Sequence, residues 1–93
     1  MLELRPSCEH CGKGLPNGAA DAMICTFECT FCMACVQDVL HDVCPNCGGG
    51  FERRPTRPKP WLAKHPAAIS EVRSPVEENR FLEANRGVDP RKR

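Results

Sequence analysis

Ninety-three residues with 5% aromatic side chains, no tyrosine, seven Gly and nine Pro make one small domain with a tail, too poor in oily material for a self-sufficient core. A formal net charge of +1 excludes a uniformly basic nucleic-acid binder, and no apolar run approaches the ~18 residues of a membrane span. The charge is divided unevenly: residues 1–50 hold two basic and six acidic side chains, residues 51–93 eleven and six.

The start, Met1-Leu-Glu-Leu-Arg-Pro6, lacks the basic-then-apolar pattern of an export signal. A cytoplasmic, thiol-reducing setting is the expectation, and there cysteine pairs serve metals more often than disulfides. Eight cysteines follow with the spacing C-x2-C-x13-C-x3-C-x2-C-x2-C-x8-C-x2-C. That is four pairs of thiolates, enough for two closed four-coordinate ions, with zinc the expected metal and iron the alternative. Eight thiolates on two Zn²⁺ would take the first fifty residues from −4 to −8 and the whole chain to −3.

Cys8-Glu-His-Cys11-Gly12 reads as a zinc knuckle, a tight turn whose backbone N–H groups face sulfur. Asn17-Gly18 is a turn. Ala22 to Phe27 is short and β-prone, and its hairpin return is expected through Cys29 to Phe31. Met33 to His41 reads as a helix, since Val36, Val39, Leu40 and Val43 form one apolar stripe; Thr30 is its expected N-cap. Pro45 stops it, Cys44-Pro-Asn-Cys47-Gly48 is the second knuckle, and Gly48-Gly-Gly50 marks the expected end of the head.

Residues 51–73 alternate Pro with cations and are expected to be extended, without helix or central strand. Residues 74–93 carry a capping-box pattern, Ser74-Pro-Val-Glu77, which predicts a marginal helix of about 12 residues stopping at Gly87, with a frayed end from Val88. His10, His41 and His65 read as surface.

Reach decides how the pairs combine. A tandem scheme puts Cys8, Cys11, Cys25 and Cys29 on one ion and Cys32, Cys35, Cys44 and Cys47 on the other. A helix to His41 carries the chain ~13 Å from Cys32, and the three virtual bonds left before Cys44 return at most ~11 Å. A crossed scheme avoids this: site 1 takes Cys8, Cys11, Cys32 and Cys35, and site 2 takes Cys25, Cys29, Cys44 and Cys47. The predicted fold is a small metal-stabilised α+β domain with one hairpin, one helix and an extended tail.

The ligand order, Thr30-Phe-Cys32-Met-Ala-Cys35 and Cys44-Pro-Asn-Cys47 resemble the treble-clef cross-brace of RING-type zinc domains. The resemblance covers residues 8–47, with Cys29 where that family usually has His. Ubiquitin-ligase activity is not expected: the first knuckle holds Glu9 and His10, no Trp lies between Cys35 and Cys44, and Gly48 follows the last ligand. To about Arg73 the chain is also similar to short bacterial cysteine-rich proteins that form a domain of unknown function. That similarity implies zinc binding and supplies no activity.

The expected function is a non-catalytic zinc-binding adaptor for a protein partner. The alternative is nucleic-acid binding through Arg53, Arg54, Arg57, Lys59, Trp61 and Lys64, in which cations neutralise phosphates and the indole stacks on a base. A redox-linked zinc switch is the third reading.

Overall fold

The computed structural model describes residues 1–93. Three strands form one antiparallel sheet in the order β2-β1-β3: β1 is Ala22–Ile24, β2 is Thr30–Cys32 and β3 is Glu52–Arg53. The first two are the expected hairpin, paired Ala22 to Cys32 and Ile24 to Thr30. Their turn closes through Glu28, which adopts φ 64°. The third strand is a correction. It pairs Met23 with Arg53 beyond the expected boundary at Gly50, because its two neighbours are anchored in the head. Phe51 meets Phe31 edge to face at 5.5 Å, and the Arg54 guanidinium donates to the carbonyls of Arg5, Leu15 and Pro16.

Helix α1 spans Met33–Asp38, shorter than the predicted 33–41. Val36, Leu40 and Val43 are buried while Val39 is exposed, so most of the stripe faces inward, but only Val36 of the four lies within the helix. The chain leaves the helix through two consecutive left-handed residues, His41 (φ 49°) and Asp42 (φ 60°). Non-glycine residues adopt that conformation at a cost. Here the Asp42 carboxylate accepts the Phe51 N–H at 3.0 Å and holds the reversal in place. Thr30 is not the cap. Cys32 occupies the N-cap position without a side-chain hydrogen bond, and the Thr30 hydroxyl donates to Glu28 O instead.

The main core cluster has 12 residues: Cys8, Leu15, Ala22, Cys25, Cys29, Phe31, Cys32, Cys35, Val36, Leu40, Cys44 and Phe51. Half of them are cysteines, so the centre of the molecule is as much sulfur as hydrocarbon. Packing among the remaining six apolar side chains is a thin basis for stability at this size.

The segment after the sheet is not uniformly extended. A helical turn, α2, spans Lys59–Leu62; Pro60 is tolerated there because the first turn of a helix has no use for its missing N–H. The predicted helix from Ser74 is curtailed to α3, Leu82–Asn85. The last residues are not frayed: a 3-10 turn covers Pro90–Lys92, and Arg93 donates to Asp42 O. No helix is long and apolar enough to cross a membrane.

Candidate metal centres

Each knuckle is built the same way. In the first, Gly12 N–H closes on Cys8 O at 3.0 Å with Gly12 at φ 79°; in the second, Gly48 N–H closes on Cys44 O at 2.8 Å, again at φ 79°. These turns demand the left-handed region, which is why glycine follows both Cys-x-x-Cys pairs. The turns also aim N–H groups at sulfur: Asn46 N–H lies 3.4 Å from Cys44 Sγ, and Gly49 N–H lies 3.4 Å from Cys47 Sγ.

The fold gathers the sulfurs in two groups. Cys8, Cys11, Cys32 and Cys35 have all four Sγ atoms within 4.8 Å of one another, and so do Cys25, Cys44 and Cys47. Cys29, the remaining cysteine, falls outside that second limit. The first and third pairs along the chain thus meet in one place. Cys25, of the second pair, meets the fourth pair in another. All eight thiols are free, and Cys11 Sγ lies 3.8 Å from Cys32 Sγ. A tetrahedron with Zn–S bonds of ~2.3 Å has edges of ~3.8 Å, which the Cys11–Cys32 separation matches.

The thiols within each cage do not ionise independently of one another. Burial works against a Cys8 thiolate, but the backbone N–H groups of Cys11, Cys32 and His10 bring its pKa down to about 7. Hydrogen bonds from Cys29 and Cys44 take Cys25 to about 3, while the thiol of Cys44 is pushed far up by Cys25 and Cys29. Burial likewise raises Cys35 and Cys32. A bound dication would let them all ionise together.

Side chains that the cysteine pattern does not flag support the cages. Glu9 is 1% exposed; its carboxylate accepts Arg5 Nη1 at 2.8 Å, Ser74 Oγ at 2.8 Å and the Thr30 N–H. His10, expected on the surface, is half-buried with Nδ1 3.2 Å from Cys35 Sγ. Asn46 Nδ2 donates to Cys29 Sγ at 3.4 Å. His10 and Asn46 hold the same place in their knuckles, and each touches a sulfur from the opposite pair of its cage. Such contacts orient ligands and temper their charge.

The family described as "Protein of unknown function (DUF1272)" matches residues 1–57. The chain belongs to the DUF1272 family. All eight cysteines and all three strands of this DUF1272 protein lie inside the match. The uncharacterized protein R02474 of Rhizobium meliloti (strain 1021) is 55% identical over 75 residues, which cover 81% of this chain and 89% of the relative. No solved structure matches the chain.

Proposed function

We propose that this DUF1272 protein is a non-catalytic zinc domain that serves as an adaptor for a protein partner. In this reading Cys8, Cys11, Cys32 and Cys35 hold one Zn²⁺, and Cys25, Cys29, Cys44 and Cys47 hold the other, in a RING-like cross-brace. The observation that carries it is the interleaving of the sulfur groups: Cys8 and Cys11 gather with Cys32 and Cys35, and Cys25 gathers with Cys44 and Cys47. Four thiolates close a zinc shell and leave no position for substrate or activated water, so the ions hold the fold rather than perform chemistry.

The partner reading is supported by the distribution of exposed groups. Of the six tail residues suited to nucleic acid, Arg54 is buried on carbonyls of the head, and Arg57 donates to His65 O at 2.6 Å and to Leu2 O. Trp61 is exposed beside an apolar groove of 280 Å³, whose other walls include Met1, Leu2, Leu4, Pro55 and Pro58. Such a groove suits an apolar side chain of a protein better than a phosphate backbone.

Native mass spectrometry of the intact chain tests the metal assignment, with two zinc ions per chain expected. One ion or none would overturn it. Binding to mixed single-stranded RNA and DNA at two salt concentrations tests the partner class. No binding at low salt is expected, and tight, salt-sensitive binding would replace the adaptor reading with the nucleic-acid one.

A further inference from the structure

Residues 73–93 lie beyond the DUF1272 match, yet they cross the outer faces of both knuckles. Ser74 N–H donates to Glu9 O at 2.9 Å and Arg73 Nη1 to His10 O at 3.0 Å. Asn79 Nδ2 then donates to Val43 O and Asn85 Nδ2 to Gly48 O, both at 2.9 Å. Every one of these donors belongs to the tail and every acceptor is a backbone carbonyl of the head. The contact at the second knuckle is close: a Cβ on Gly48 would come within 2.9 Å of the Phe81 ring. Gly48 therefore serves both the left-handed turn and the approach of the tail.

The tail adds little apolar burial. No residue from 55 to 93 is buried, and Val76 is the tail side chain that packs against the core cluster. A segment held by polar contacts, with its side chains half in water, opens at a small fraction of the free energy needed to unfold a buried sheet.

We propose that residues 73–93 form a detachable strap that guards the two cysteine cages and sets the rate of metal exchange. The strap opens while the sheet and α1 stay folded. Open, it uncovers the backbone around Cys11, which is already exposed, and Cys47, which is half-buried. The guarding role rests on the metal-binding reading above; the separate opening of the strap does not.

The test compares the full zinc-loaded chain with the double variant Asn79→Ala/Asn85→Ala, which touches neither cysteines nor core. Hydrogen-exchange mass spectrometry reads the strap, and transfer of zinc to a colorimetric chelator reads the cages. Loss of two ordinary hydrogen bonds should speed exchange across residues 74–93 by roughly tenfold or more. Protection of residues 22–36 should be unchanged, and zinc transfer should accelerate by a similar factor. Faster exchange with an unchanged transfer rate would show that the strap guards nothing. Protection lost from residues 22–36 as well would make the tail part of one cooperative unit, and no change in either readout would show that these amides hold nothing. A chain that purifies without metal would fail the zinc reading and the guarding role, while the exchange comparison would still decide whether the strap opens alone.

Discussion

At the scale of single residues, the cysteines announce themselves and their supporters do not. Spacing alone pairs Cys8 with Cys11 and Cys44 with Cys47, because a two-residue gap is what two sulfurs need to share an ion. Glu9, His10 and Asn46 stand in the gaps of those same pairs, where any residue is admissible, so nothing in the sequence separates a buried strut from a solvated side chain. Glu9 is the clearest case. Charged residues are rarely buried unless paired, and its partners Arg5, Thr30 and Ser74 come from three separate stretches of chain. Glu9→Gln, which keeps the shape and leaves Arg5 without its countercharge, should destabilise the zinc-loaded chain by about 3 kcal/mol in urea unfolding; an unchanged midpoint would remove Glu9 from the account. Cys29→Ser should lower the zinc count from two to one by native mass spectrometry, and retention of both ions would show that Cys29 is not a ligand.

Among the elements, the hairpin was readable because Thr30 and Phe31 favour a strand and face Met23 and Ile24 across one tight turn. The helix was readable in kind but not in length. Its apolar stripe continues to Leu40 and Val43, but the ladder stops at Asp38 and the chain reverses at His41 and Asp42. That reversal is a tertiary choice, set by where Cys44 must go. The capping-box pattern at Ser74 misled for a similar reason: its hydroxyl is spent on Glu9 and Asn46 rather than on a helix end. The third strand had no local signal at all, since two residues cannot show a period. Its anchor gives the test. Phe51→Ala removes the contact with Phe31 and should cost about 3–4 kcal/mol while the zinc count stays at two; loss of an ion would mean that β3 shapes a cage directly.

For the whole molecule, the contrast between an acidic head and a basic tail was visible in the sequence, but which cations would turn inward was not. Arg54 and Arg93 end on carbonyl oxygens of the head, at positions set by the finished fold. The metal reading also fixes how stability should depend on pH. In the loaded state the cage sulfurs are thiolates, whereas unfolded thiols keep their protons up to a pKa of ~8.5. The unfolded chain therefore binds more protons, and stability must rise with pH through the neutral range and fall as acid displaces the ions. Thermal midpoints of the zinc-loaded chain, measured from mildly acidic to mildly alkaline buffer, should climb steadily; a flat profile would indicate that the thiols are not ionised in the folded state.

The most direct measurement is a zinc titration of the metal-stripped, fully reduced chain followed by amide NMR. Resonances should be collapsed without metal and become dispersed as two equivalents are added, with no further change beyond. A dispersed spectrum before any zinc is added would contradict the claim that two bound ions, rather than the small apolar cluster around Phe31, hold this protein in shape.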